Sequence, residues 1–350
     1  MSSLRIPRVR TRLSDLAEQA GVSTATVSRV LNGKPGVASE TRHAVLAALD
    51  VLGYERPQAL RSRSAGLVGL LVPELTNPVF PAFAQAIESL LSERGYTPLL
   101  CTQEPGGTTE DEYVETLVDH AVDGIVFLSG LHADTRADHS RYEVLRTRGI
   151  PIVLVNGYAE GIDAPFVSPD DTVSVDLALR HLVSLGHERI GLAIGPERYV
   201  PARRKVDAFV RLATELGLAR DADEARTHVV TTLYTLEGGQ AAAGELLESG
   251  HTAIVCGSDL MALGAVRAAR SRGLRVPDDV SVVGYDDAPL IAFTDPPLTT
   301  VRQPVEAMAR AAVSALLSEI AGDRAPRTEL LFAPELVVRG STGPVPRPAA

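Results

Sequence analysis

Residues 13–32 read Leu-Ser-Asp-Leu-Ala-Glu-Gln-Ala-Gly-Val-Ser-Thr-Ala-Thr-Val-Ser-Arg-Val-Leu-Asn, and this run constrains the chain more than any other. It spells two short helices around a glycine turn. In the first, Leu13, Leu16, Ala17 and Ala20 recur at three- and four-residue spacing and make one apolar face, with Ser14 at the position of an N-cap. Gly21 supplies the turn. The second helix opens at Ser23 and turns Val27 and Val30 inward, which leaves Thr24, Ala25, Ser28 and Arg29 on the outer side, where a DNA major groove would receive them. A helix hairpin buried in a core would not carry hydroxyls and an arginine over its outer face. A turn-rich loop follows at 32–37, and Ser39 starts a third helix whose Val45, Leu46, Leu49 and Leu52 close a three-helix core before Gly53-Tyr54 ends it.

The net charge of −10 conceals a division. Residues 1–66 hold ten Lys and Arg against five Asp and Glu, whereas the remaining residues hold 24 against 39. A basic headpiece on an acidic body suits a protein of which one end approaches phosphates. No apolar run approaches a membrane span and the N-terminus lacks the apolar core of a secretion signal, so a cytoplasmic location is expected. Cys101 and Cys256 lie apart, each at the end of a strand-like run with no clustered His, which reads as two reduced core thiols.

Three hundred and fifty residues suit a small headpiece plus a two-lobed body. From Leu67 onward strand-like runs at 67–72, 97–101, 124–128 and 151–155 alternate with helical patterns near 80–94, 109–120 and 139–147. A second set follows, with helices at 173–185, 202–216, 239–248 and 259–272 between strands at 189–194, 227–231, 252–256 and 280–284. Such alternation specifies parallel sheets covered by helices on both faces, and two sets imply two lobes.

Thr-Val-Ser-Arg-Val-Leu-Asn at 26–32 with Gly53-Tyr54 resembles the headpiece of the LacI/GalR family of bacterial transcription regulators. Val-Pro-Glu-Leu-Thr-Asn-Pro (72–78), His-Leu-Val-Ser-Leu-Gly-His (181–187), Ser-Asp-Leu-Met-Ala-Leu-Gly-Ala (258–265), Val-Val-Gly-Tyr-Asp-Asp (282–287) and Pro-Leu-Thr-Thr-Val-Arg-Gln (297–303) are similar to that family's regulatory core. The resemblance implies an all-α helix-turn-helix headpiece at 1–56, a hinge at 57–66 and a periplasmic-binding-protein-like core of two doubly wound parallel sheets at 67–340. It divides that core into an N-lobe at about 67–168 and 304–329 and a C-lobe at about 171–298 and 331–340, with crossings near 168–171, 298–304 and 330. The Pro-rich end at 341–350 has no leucine heptad, reads as a disordered tail and offers no seam for a tetramer.

By the same resemblance Thr24, Ala25 and Arg29 face base edges, while Ser23, Thr26, Ser28 and Asn32 face phosphates. The hinge departs from the family pattern, since only Gln58 and Ala59 separate Pro57 from Leu60. Leu60 still stands where a minor-groove wedge is expected, with Arg61 and Arg63 beside it to grip phosphates or a narrow groove. The resemblance implies an effector cleft lined by Phe80, Asp170, Lys205, Ser258, Asp259 and Asp286. Lys205, four residues before Phe209, replaces an arginine, and an ammonium does not fork onto two vicinal hydroxyls, although Arg203 or Arg204 could substitute. Each carboxylate taken singly also reads as a helix cap or a solvated loop.

The function implied is a transcription regulator, most often a repressor in this family. It would bind a pseudo-palindromic operator in double-stranded DNA as a homodimer, under control of a small-molecule effector. A sugar or sugar derivative is expected between the lobes, with a nucleobase-type co-repressor as the alternative. No cofactor, metal or membrane partner is expected. A solute-binding protein of a transport system would share the two-lobed fold, but the headpiece argues against it. An enzyme is the third reading: Asp286-Asp287 suggests paired acids, but neighbours on a loop point apart, no nucleophile elbow or phosphate loop accompanies them, and His181 and His187 read as structural.

Overall fold

The computed structural model of the chain describes residues 13–31, 37–52, 66–103 and 107–345. It divides into two units, residues 1–65 and 66–350. In the first unit the helices are α1 (Leu13–Ala20), α2 (Thr24–Leu31) and α3 (Ser39–Val51). Leu16, Ala17, Val27, Val30, Val45, Ala48 and Leu49 form their common core. The apolar periodicity therefore selects this core, with one exception among the expected residues whose side chains are described; the Leu46 side chain is not among them. Leu13, the first residue of α1, is 45% exposed. Ser14 falls inside the first turn of α1 instead of capping it, and its hydroxyl donates to Asp15 Oδ1 at 3.1 Å.

The second unit holds two six-stranded sheets. The first has β1 (Gly66–Val72), β2 (Tyr96–Thr102), β3 (Gly124–Leu128), β4 (Ile152–Val155), β5 (Phe166–Pro169) and β11 (Glu329–Phe332), in the order β11-β5-β4-β3-β1-β2. All its pairings are parallel. The second has β6 (Ile190–Ile194), β7 (Val229–Thr231), β8 (Ala253–Cys256), β9 (Ser281–Asp286), β10 (Thr299–Arg302) and β12 (Glu335–Val337), in the order β12-β10-β9-β8-β6-β7. Only the β10–β12 edge is antiparallel. The central strands β3, β6 and β9 are buried from end to end, as strands covered on both faces must be.

Helices α4 (Val79–Glu93) and α12 (Val305–Ala321) cover one face of the first sheet through Phe83, Ile87, Met308 and Leu316. On the other face lie α5 (Glu110–Asp119) and α6 (Ser140–Thr147), through Leu117, Tyr142 and Leu145. The second sheet is covered by α7 (Asp171–Ser184) and α8 (Val200–Glu215) on one side and by α10 (Leu236–Glu248) and α11 (Asp259–Ser271) on the other, with α9 (Ala222–Thr227) leading into β7. Helices α10 and α11 touch backbone to backbone: a Cβ on Gly264 would come 2.1 Å from the Leu236 carbonyl oxygen.

The strands and helices named from alternation are present within a few residues of their expected limits. The alternation did not disclose β5, α9, β10, α12, β11 or β12. Strands β11 and β12 are short, and Leu330 and Leu331 are exposed, so neither carries a buried-strand pattern. The third crossing accordingly falls at 333–334, between β11 and β12, and the first lobe runs to Phe332 instead of 329.

The expected disordered tail needs a larger correction. Ser341 is fully buried; its hydroxyl donates to the Val282 carbonyl at 2.6 Å and accepts from Thr299 N–H at 2.8 Å. His187 Nε2 lies 3.1 Å from the Gly343 carbonyl and 3.0 Å from Ser281 Oγ, and His181 Nε2 lies 2.9 Å from Thr342 Oγ1. Val345 N–H donates to the Leu185 carbonyl at 2.9 Å. The two histidines are thus structural, as their helix-end pattern suggested, and they hold residues 341–345 against the second lobe. Residues 346–350 lie outside the described residues. Composition misleads here because a short polar strap is stabilised by partners far away in sequence. Ser341→Ala leaves the buried Thr299 N–H and Val282 carbonyl short of a partner, and should cost about 1–3 kcal/mol in a urea titration. An unchanged midpoint would show that the strap does not stabilise the lobe.

Candidate functional site

In the headpiece, α2 is set by its cap and its core. Thr26 N–H donates to Ser23 Oγ at 3.1 Å, and the two hydroxyl oxygens are 2.8 Å apart. Ser23 is therefore the N-cap, one residue before the helix, and satisfies an end donor that nothing else in the helix can reach. Val27 and Val30 are wholly buried, so the opposite face is turned outward: Thr24, Ala25 and Arg29 are exposed and Ser28 and Thr26 half-buried. Beside that face an open depression of about 400 Å³ runs between Ser23, Thr26 and Arg29 on one side and Val37, Ala38 and Thr41 on the other. Ser23 and Thr26, expected at phosphates, are first of all the capping pair of α2. Asn32, Leu60, Arg61 and Arg63 lie outside the described residues.

In the body, the candidate site lies where the chain ends its parallel strands. Of the five non-glycine residues with positive φ among the described residues, four lie at the carboxyl ends of β3, β4 and β9: Ser129, Asn156, Asp286 and Asp287. Backbone held in this region by the surrounding structure is typical of ligand crevices, and open parallel sheets bind ligands at such strand ends. Asn156 Nδ2 donates to Ser129 Oγ at 2.6 Å. The lobes meet around this edge. Thr135 N–H and Oγ1 both donate to the Arg198 carbonyl, at 2.8 and 2.9 Å, and Arg204 makes a two-pronged ion pair with Glu329 at 2.7 and 2.8 Å.

Asp286 is the centre of the arrangement. It is buried, Gln303 Nε2 donates to its Oδ1 at 2.6 Å, and the Asn77 side chain reaches it from the first lobe. Burial pushes its carboxyl up to about 7, against the pull of Gln303, Lys205 and Asn77. Tyr234 lies nearby, with its ring so close over the end of β6 that a Cβ on Gly195 would come 1.9 Å from it.

The other sequence-derived candidates have internal partners. Lys205 is buried in an ion pair with Asp171, with Nζ 4.2 Å above the Tyr285 ring. Ser258 caps α11 by accepting from Met261 N–H at 3.3 Å. Asp259 accepts from Ala288 N–H at 2.7 Å and Thr300 Oγ1 at 2.6 Å, so both its oxygens face into the second lobe. Asp170 caps α7 through Val173 N–H at 3.0 Å. Phe80 is half-buried and packs on the first lobe's core. The cap reading of the carboxylates thus describes Asp170, Ser258 is a cap that it did not cover, and Asp259 is a frame residue. Arg204, named as a substitute cation, is occupied by Glu329.

Asp287 binds Arg302 Nε and Arg339 at 2.6 Å each, so the two adjacent acids serve different partners, as expected of loop neighbours. Sequence reasoning assigned no role to Asn77, Asp171 or Gln303. Gln303 closed the motif at a lobe crossing and Asn77 stood next to last in the motif after β1, and that placement was the available signal.

The description "Bacterial regulatory proteins, lacI family" matches residues 12–57, and "Periplasmic binding protein-like domain" matches 179–342. The "HTH-type transcriptional regulator MalR" of Streptomyces coelicolor is 64% identical over 96% of this chain and 98% of its own. The chain belongs to the LacI family of bacterial transcription regulators. This regulator is also similar to the solved "transcriptional regulator CelR-cellobiose complex", at 32% identity and a TM-score of 0.70 over 95% of this chain and all of the other. The lac repressor dimer bound to operator and the anti-inducer ONPF gives 28% identity and 0.68 over 95% of this chain and 99% of that one. The headpiece separates the regulator from solute-binding proteins with two similar lobes. Among its described residues no helix is long and apolar enough to cross a membrane.

Burial, with Asp286 next in weight, pushes Asp259 up to about 8. Its folded value stands above the unfolded one, so the native state holds the proton more tightly, and the associated stability falls as pH rises through the raised value. Melting temperature should therefore fall between about pH 6 and pH 8 more steeply in the wild type than in Asp259→Asn. Parallel curves would show that Asp259 is ionised throughout the range.

Proposed function

We propose that the regulator acts as a cytoplasmic homodimer that reads an inverted-repeat operator through Thr24, Ala25 and Arg29 and is controlled by a sugar held between its lobes at Asp286. The observation that carries the DNA half is the capped helix α2, with two valines buried behind it and these three side chains exposed in front. Arg29 is the one member of the face able to fork onto a guanine. Ala25 offers only apolar contact to a thymine methyl. Ser23, Thr26 and Ser28 orient the helix in this reading by donating hydroxyl hydrogens to phosphate oxygens.

The effector half rests on strained strand ends around a buried carboxylate that both lobes reach, and on the cellobiose held by a relative of the same architecture. Control follows if the sugar and the operator prefer different lobe arrangements. A coupling of about 1–3 kcal/mol would change operator affinity roughly 5- to 150-fold, and operator would change sugar affinity by the same factor.

Replacing Arg29 with Ala should cost about 1–3 kcal/mol on the selected operator and relax the preference at one position in each half-site. Selection of sites from random DNA with both proteins reads this directly. Equal weakening on operator and random DNA would make Arg29 a phosphate contact and move base reading to Thr24. Inverted half-sites require a two-fold axis, so light scattering should give twice the 37.1 kDa chain mass. A monomer or a tetramer would overturn the assembly.

A further inference from the structure

The three crossings between the lobes leave from β5, β10 and β11, at one side of each sheet. A contact between the loops after β3 and β6 stands away from them. In the strand orders it is two spacings from β5 and three from β10, or about 10 Å and about 14 Å at ~4.8 Å per strand. With that lever arm it resists rotation of one lobe on the other, whereas the Arg204–Glu329 pair on β11 lies beside the crossings.

The loops do meet. Asp134 and Tyr199 pair as two antiparallel strands would, Thr135 gives both its N–H and its hydroxyl to the Arg198 carbonyl, and Arg198 Nε lies 3.3 Å from Asp134 Oδ2. Each loop is braced from behind. Glu110 of α5, 1% exposed, accepts from Leu131 N–H at 2.8 Å and from the Tyr142 hydroxyl at 2.7 Å, and that hydroxyl accepts from His132 N–H at 2.7 Å. His139 Nε2 spans the Leu131 and Asp134 carbonyls at 3.0 and 3.2 Å. On the other side Arg198 donates to the Tyr199 hydroxyl at 2.8 Å, and α8 begins at the next residue. The floor of the crevice is less complete, since the buried Gln303 Oε1 beside Asp286 has no partner.

We propose that residues 130–139 form a latch, which docks on Arg198 and Tyr199 to hold the lobes closed and whose release is a step in the control of operator binding. The inference makes no assumption about the effector. Thr135 and Arg198 are exposed, so on release the two donors and the carbonyl pass to water, and the contact is worth little more than its net hydrogen bonds. The half-exposed Arg198–Asp134 ion pair adds little to them. A bias of that size can be reversed by a ligand or by DNA, as a two-state switch requires. The bracing by Glu110, Tyr142 and His139 makes the loop move with its lobe as one piece, so that opening the latch and opening the lobes are one event.

The test compares a broken and a locked latch in the full-length protein with no small molecule added. Thr135→Ala with Arg198→Ala breaks it. Asp134→Cys with Tyr199→Cys locks it when oxidised, because directly opposed residues of an antiparallel pair lie within disulfide reach and the native Cys101 and Cys256 are buried. Affinity for an operator selected from random DNA should differ by about fivefold or more between the locked and the broken protein, with the wild type between them. Hydrogen exchange of the broken protein should rise at 131–137 and also at the strand ends around Asn156 and Asp286, which a contact without influence on the lobes would leave unchanged. Should the alanine variant melt early, the oxidised and reduced states of the cysteine variant make the same comparison. Equal operator affinity of the locked and broken proteins, a wild type outside their interval, or exchange that rises at 131–137 alone overturns the latch.

Discussion

The regulatory body depends on a carboxylate that has left water. Asp286 ends β9 in a positive-φ conformation, accepts from Gln303 where the chain passes from β10 into α12, and is reached by Asn77 of the other lobe. A carboxylate in such a place is stabilised only by donors. Three separate segments must therefore come together for any one of them to be satisfied. In the proposed function, lobe geometry and ligand chemistry are read by the same oxygen atoms.

Around that centre the second lobe uses polar side chains as a frame. Asp259 ties the start of α11 to Ala288 and Thr300, Asp287 ties Arg302 to Arg339, and His187 with Ser281 ties the C-terminal strap to the sheet. Each is buried or nearly so and joins segments distant in sequence. Such bonds contribute modestly one by one, but leaving any partner unmatched costs more than the bond contributes. The frame therefore resists deformation while the Asp286 group, with its unmatched Gln303 oxygen, is the part able to exchange partners. The headpiece follows the opposite plan, with seven small or aliphatic residues as its core and its polar groups outside.

Legibility in the sequence followed the range of the interactions. Helix and strand alternation was readable because covered parallel strands are apolar throughout and helices carry a 3.6-residue period, both local properties. Helix α2 of the headpiece was largely readable, with Ser23 as its start, Val27 and Val30 inside and Thr24, Ala25 and Arg29 outside, whereas Ser14 and Leu13 of α1 were misassigned. Strands β11 and β12 and the strap at 341–345 were not, since short exposed strands and a Pro-rich segment carry no periodic signal and are held by partners elsewhere.

For the candidate site, the sequence by itself named the candidates: the outer face of α2, the acids at strand ends and helix starts, and Lys205 on α8. Only the tertiary structure decided what each was available to do. It placed Lys205 against Asp171, spread Asp259 between a backbone amide and a threonine, and turned Asp170 and Ser258 into helix caps. It also brought Asn77 and Gln303 to Asp286, across the lobes and from the crossover. The reason is that a side chain's hydrogen-bonding capacity is a property of its type, whereas its remaining capacity depends on which distant groups the packed sheets bring within about 3 Å of it.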